Sequence, residues 1–303
     1  MFDDTRKFLV KLGLPAGDAF DLPTSKQRFP DGAYYRLEVP TVNSSDTCKA
    51  LIEESTRLGI TINRIDETYG AFRHTRAELK EYITMCKDYG CELNLSVGPR
   101  ATYDTSATRL STQGVRIGYR LRGQEQVVRA IEDVLRMADL GCRGVLIYDE
   151  GLLWVLYEMR KAGKLPAKMH FKLSAHVGHG NPASFKMLEN LGADTINPVR
   201  DLSLPMISAL RQTVKVPIDV HTDNPPGSGG FIRVYEAPEM VRVAAPIHLK
   251  TGNSVIGGHG EITTAQTGID MARQAAIVKE FMERYYPEAV QSKNGLPTMS
   301  IPE

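Results

Sequence analysis

Eight times in succession a short alternating stretch is followed by a longer amphipathic one. This rhythm limits the fold more than any other feature of the chain. Strands are expected at 34–40, 61–67, 92–99, 144–150, 170–176, 194–199, 216–223 and 245–252. Helices are expected at 44–59, 75–90, 123–141, 151–163, 181–192, 202–214, around 236–243 and at 262–286. Helix ends carry ordinary stop and start signals: a serine at Ser44, closing glycines at Gly59 and Gly90, and Pro182 near a first turn. Eight strands alternating with eight helices over about 250 residues is the pattern of an α/β protein of the (β/α)8, TIM-type barrel class. An open doubly wound sheet is the rival, but no G-x-G-x-x-G follows the first strand. The domain expectation is one barrel over residues 1–303. It has an N-terminal extension, 1–33, containing a short amphipathic helix at 3–13, and a loose C-terminal tail, 290–303.

Composition narrows the function classes. Lys and Arg number 37 against 36 Asp and Glu, so the net charge is only +1. A nucleic-acid or membrane binder is usually more basic, and neither partner is expected. The first residues, MFDDTRKFLVKLG, contain no apolar run of the signal-peptide kind. No stretch approaches the roughly 20 apolar residues that span a bilayer. The four cysteines, Cys48, Cys86, Cys91 and Cys142, form no C-x-x-C. They read as reduced structural thiols in a cytoplasmic protein. A homo-oligomer fits the class, although nothing in the sequence marks an interface.

In such a barrel the active site lies at the C-terminal ends of the strands. The stretch VPIDVHTDNPPGSGGFIR (216–233) shows how this end is built. Asp219, His221 and Asp223 alternate with apolar Ile218 and Val220, and the chain then opens into a glycine loop. Applied to every strand, the alternation collects Arg36, Glu38, Asp66 or Glu67, Asn94, Ser96, Tyr148 with Glu150 (or Asp149), Lys172, Ser174, His176, Thr195, Asn197, His248 and Lys250. Two readings stay open for Arg36, Lys172 and Asp219, which lie deeper in their strands: mutually satisfied ion pairs, or function. Glu150, His176, His221 and Lys250, at the mouths, point to function.

Three chemistries follow from these residues. Glu67, Glu150, His176 and His221 offer carboxylate and imidazole ligands for a divalent metal such as Zn, Mn, Fe or Ni. Lys250, in HLKTGN, is either an imine-forming amine or a positive clamp for an anion. The loops PPGSGG (225–230), with Gly229 and Gly230, TGNS (251–254), with Asn253, and GGHG (257–260) resemble the anion-binding loops of this fold class. The segment from Arg100 to Arg122 adds Arg100, Arg109, Arg116, Arg120 and Arg122 against the single acid Asp104, and reads as a basic lid. Arg100, Arg116, Arg120, Ser174 and Asn197 would therefore hold an anionic substrate, small or peptide-like. Glu150, Asp219, Asp223 and Lys250 would carry catalysis.

The second half of the chain also resembles a known family. NPASFKMLENLGADTINPVRDLSLPMISALRQ, VPIDVH and GGFIRVYEAPEMVRVAAPIHLKTG are similar to segments of the U32 peptidases, and GVLIYDEG fits the strand before them. The order LGAD, RDLSL, VPIDV is the most specific part, within a likeness spanning roughly residues 30–255. The resemblance implies a TIM-type barrel. Its members include peptidases and iron–sulfur proteins that take part in oxygen-independent hydroxylation. The latter carry a cysteine quartet around and beyond the last strands. This chain has no cysteine after Cys142, so no iron–sulfur cluster is expected. The resulting expectation is a peptidase-like hydrolase, metal-assisted or not. The alternatives are a lyase, aldolase or isomerase acting on an anionic carbonyl compound, and a non-catalytic small-ligand sensor or assembly subunit.

Overall fold

The computed structural model describes residues 1–11, 16, 21–100, 111 and 118–303. Its strands are β1 (Tyr35–Val39), β2 (Arg64–Asp66), β3 (Glu92–Ser96), β4 (Gly144–Ile147), β5 (His170–Leu173), β6 (Thr195–Ile196), β7 (Ile218–His221) and β8 (Ile247–Lys250). They pair in parallel in chain order, and β8 returns to β1 with Tyr35 opposite Ile247 and Glu38 opposite Lys250, closing the barrel. The helices are α1 (Asp3–Lys11), α2 (Ser45–Arg57), α3 (Arg76–Tyr89), α4 (Gly123–Asp139), α5 (Glu150–Lys161), α6 (Pro182–Asn190), α7 (Leu204–Thr213), α8 (Ala237–Ala244) and α9 (Ala265–Tyr285). All eight strands and the eight helices that follow them are where the periodicity places them. The fold is a (β/α)8 barrel.

Two periods meet in this architecture. Outward strand residues such as Leu37, Ile65, Leu95, Phe171 and Leu249 are fully buried against the helices and form the apolar layer. Most inward residues are polar; Gly144 and Leu146 of β4 are the exceptions. Helix starts are fixed by side chains: Ser44 accepts from the Thr47 N–H, and Thr75 and Glu78 form a reciprocal capping box on α3. The long closing helix α9 lies close against α2 because Gly268 has no side chain. A Cβ there would stand 2.4 Å from the Thr47 carbonyl oxygen.

The strands are shorter than the alternating pattern, mainly at their C-terminal ends. β2 stops at Asp66, β4 at Ile147, β5 at Leu173 and β7 at His221. The chain then turns, through 3-10 segments at Ala175–Val177, Pro226–Ser228 and Asn253–Val255. Beyond the last ladder bond a period of two no longer says which way a side chain faces.

The segment just before β1 and the C-terminal tail both pack against the barrel floor. The tail expected to be loose is instead bonded in place. Gln291 bridges in parallel to Tyr35, and the Ser292 N–H donates to the Tyr35 carbonyl at 3.1 Å. The Ser300 N–H donates to Glu92 at 3.1 Å, and the Glu303 N–H to the Gly141 carbonyl at 2.9 Å. On the other side, the buried Phe29 ring meets His248 edge-on at 5.2 Å. The floor needs these partners because the side chains above it are charged.

One inward position must be glycine for steric reasons. A Cβ on Gly144 would sit 2.4 Å from both the Asn94 side-chain oxygen and the Leu93 carbonyl oxygen. Gly144→Ala is expected to lower stability by about 1–3 kcal/mol through overpacking, measured by urea unfolding. An unchanged midpoint would mean that the barrel wall yields at this point.

Candidate functional site

The barrel interior is a closed ion network. Four cations (Arg36, Arg64, Lys172, Lys250) face four carboxylates (Glu38, Asp66, Glu92, Asp219), all buried. Lowest is Arg36, 3.1 Å from Glu92. Arg64 then reaches Glu92 at 2.7 Å and both Glu38 and Asp219 at 3.3 Å. Lys172 sits at the centre, 3.0 Å from Asp66, 3.2 Å from Asp219 and against Glu38. Lys250 is uppermost, 2.7 Å from Asp66 and 2.8 Å from Glu38. Asp219 also meets His248 at 2.8 Å. Burial would raise the carboxyl groups of Glu38, Glu92 and Asp219, but the cations around them outweigh it and hold each below the ordinary range. Of the two readings open for Arg36, Lys172 and Asp219, the geometry matches ion pairing.

Above this network lies a narrow cavity of about 10 Å³, room for about one water molecule. Its walls include Thr41, Ser174, Asn197, Arg200, His221, Lys250, Asn253 and His259. Burial would lower the Lys250 ammonium, yet Asp66 and Glu38 raise it above its ordinary value. Lys250 is therefore a fixed positive charge, which disfavours the imine chemistry raised by the sequence. His221 is buried, and its ring nitrogens make no well-formed hydrogen bond among the described residues, with the Asp223 backbone as the nearest polar neighbour. Desolvation, then the charges of Arg200, Lys250 and Lys172, push it well below its ordinary value, so it is neutral. His176 and His259, with ring centres 4.2 Å apart, are lowered in the same way. They stack with Tyr119, whose hydroxyl lies 2.7 Å from His259 Nδ1.

Two arginines make the mouth positive. Arg200 contacts His176 Nε2 at 2.9 Å, and Arg100 donates to Ser96 Oγ at 2.6 Å and to the Thr68 carbonyl at 2.8 Å. Neither has an ion-pairing carboxylate among the described residues. The backbone beside the cavity is strained: Thr41 has a φ of 64°, unusual for a β-branched residue, and its hydroxyl donates to Asn253 at 2.8 Å.

Several expected residues are placed elsewhere. Glu67 accepts from the Gly70 N–H, from Ser96 and from His74, so it holds a turn. Glu150 starts α5 and is engaged by Arg120 and by His179 at 2.5 Å, away from His221. Asp223 accepts the backbone N–H groups of Gly252 and Ser254, joining two loops rather than presenting a base. The N–H groups of Gly229 and Gly230 donate to Pro226 and Pro225 inside their own turn and are not available to an anion. Ser174 accepts from the His176 N–H, and Asn197 donates to the Asp219 carbonyl at 2.7 Å; both line the cavity, as does Asn253. Arg109 and Arg116 lie outside the described residues. Arg200, in the turn just after β6, is the addition; His259 lies in GGHG (257–260), the loop expected to bind an anion, well past the end of β8.

The proposed ligand set Glu67, Glu150, His176 and His221 is not gathered around one point. Among the described residues, Glu38, Asp219 and His248 bring one donor atom each within 4.8 Å of one another. Lys172 and Arg64 already pair with both of those carboxylates. A divalent ion there would have to displace or tolerate two cations, so the donor set fits the protein's own charges better than a metal.

No protein-family model and no curated protein matches the chain. Solved structures do. A homocysteine methyltransferase from Escherichia coli, in a metallated form, is 11% identical over 80% of this chain and 97% of its own, with a TM-score of 0.51. A candidate fructose-1,6-bisphosphate aldolase from Coccidioides immitis is 13% identical over 84% and 92%, with a TM-score of 0.50. A U32 peptidase is 18% identical over 68% and 74%, with a TM-score of 0.41. The first two likenesses show the barrel fold, and at these identities none of the three bears on family membership. No helix among the described residues is long and apolar enough to cross a membrane.

Lys172→Met would leave Glu38, Asp66 and Asp219 short of a central cation, with an expected loss of about 3–5 kcal/mol in urea unfolding. A neutral result would mean that the network rearranges around the gap. The second expectation concerns pH. The folded value of His221 lies below the unfolded 6.5, so the unfolded chain binds the extra proton and stability falls as pH drops below 6.5. Asp133, pushed up to about 6 by burial, acts in the opposite direction at lower pH. Comparison with His221→Asn cancels that shared contribution. The wild type should lose about 1.4 kcal/mol more per pH unit than the variant between about pH 6 and 5. Parallel profiles would show that His221 is protonated in the fold.

Proposed function

We propose that this protein is an acid–base enzyme acting on a small anionic carbonyl compound, of the lyase or isomerase kind. The observation that carries this reading is His221: a neutral imidazole that bonds no other side chain among the described residues, in the wall of a small cavity beside Lys250 and Arg200. A buried imidazole without a well-formed hydrogen bond is costly unless a ligand satisfies it. Arg200, with Arg100 behind the aromatic cluster, would hold the carboxylate or phosphate of the substrate. His221 would take a proton from the carbon next to the carbonyl. The Lys250 ammonium, kept charged by Asp66 and Glu38, would stabilise the enolate oxygen.

A hydrolytic reading of the U32 type rests on the sequence order LGAD, RDLSL, VPIDV. It asks for a site that accepts a peptide, whereas the cavity beside His221 is narrow and walled by side chains. The sensor reading differs by predicting ligand binding without turnover.

The test is solvent exchange. In deuterated water, a panel of carboxylated and phosphorylated carbonyl compounds should include one whose α-hydrogen is exchanged, followed by proton NMR. His221→Ala should slow that exchange by about 100-fold or more. Arg200→Met should weaken binding by about 10- to 100-fold, as expected for loss of charged hydrogen bonds. Exchange that survives His221→Ala would remove the base assigned here. Peptide cleavage without exchange would favour the U32-type reading, and stabilisation by a ligand without any reaction would favour a sensor.

A further inference from the structure

Beside the mouth, between the loops that follow β5, β6 and β7, lies a second, larger and more open cleft of about 410 Å³. Arg200 lines both this cleft and the inner cavity. The remaining walls are of a different character from the mouth. Ala175, Val199 and Phe231 are apolar, Ser228 is neutral, and the single acid Asp201 stands at the exposed side. We propose that this cleft is a second subsite, which holds the uncharged, apolar body of a monoanionic substrate whose charged end lies in the mouth.

The inference rests on the anion reading of the mouth and adds the class of the attached group. Three observations support it. First, Arg200 is common to the two spaces and has no carboxylate partner among the described residues, so an anion on it would carry its substituent into the cleft. Second, the wall carrying Phe231 is held in place. The Asn224 N–H donates to the Phe231 carbonyl at 2.9 Å, its side chain donates to the Ser228 carbonyl at 2.5 Å, and Asp223 bridges to Ile232. A wall fixed in this way costs little to order on binding. Third, Asp201 opposes a second negative charge at the outer end, whereas a ring or alkyl chain would bury the exposed face of Phe231.

The test uses pyruvate and phenylpyruvate as probes on the full chain, with affinities from calorimetry. Phenylpyruvate should bind at least about tenfold more tightly, the return for burying an aromatic ring. Ser228→Trp, which fills the cleft from a surface turn, should remove that margin and leave pyruvate affinity within about twofold. Phe231→Ala should reduce the margin without affecting pyruvate, and serves as the second variant if the first does not fold. Equal binding of the two acids by the wild type, or a margin that survives both substitutions, would overturn the subsite while leaving the mouth reading intact. Failure of both acids to bind the wild type would overturn the mouth reading and the subsite with it.

Discussion

The barrel stands because its interior charges cancel. Four cations and four carboxylates are placed where a barrel of this class ordinarily packs branched apolar side chains. Each is costly to bury alone, and the arrangement is tolerable only as a whole. Lys172 is its centre, since it touches three of the four carboxylates from three different strands. Such a core has little tolerance for a register error. A slip of one residue would turn Leu37, Ile65 and Leu249 into the charged interior and expose Arg36, Glu38 and Lys250 to the helices. The ion network thus sets the register as well as the floor of the mouth, and the sealing of that floor by Phe29 and the C-terminal segment belongs to the same requirement.

The sequence is legible where the ladder runs. Within the strands a period of two sends side chains to known faces, and Glu38, Asn94, Lys172, Asp219, His221, His248 and Lys250 all lie on the inner face as the alternation implies. Past the last ladder bond the rule lapses. Glu67, Glu150, His176 and Asp223 all lie beyond the ends of their strands, at positions where alternation still seemed to apply. Three of them face turns and loops instead. The tail was misread for a related reason: its polar composition resembles that of a disordered end, but its polar groups are partners for a charged floor that composition does not display.

Arg200 shows what pattern reasoning lacks: it belongs to no strand or periodic face and reaches the mouth from the turn after β6, while His259 reaches it from the glycine loop 257–260. Their effect is collective. Arg200 and Arg100 lower the nearby histidines, and the histidines, being neutral, leave the arginines uncompensated.

The two levels of the barrel therefore differ in charge. With Lys250 counted, the four cations and four carboxylates of the lower level cancel, and above it Arg200 has no ion-pairing carboxylate among the described residues. An anion in the mouth would extend upward the balance that holds the lower level together. It would also supply the acceptors and donors that His221 and the buried Nε of Arg200 lack. Ligand binding and stability are linked by that shared deficit, because a group that binds only the folded chain stabilises it by mass action. Thr41, with its φ of 64°, and the unpartnered Nε of Arg200 lie at that same end of the barrel.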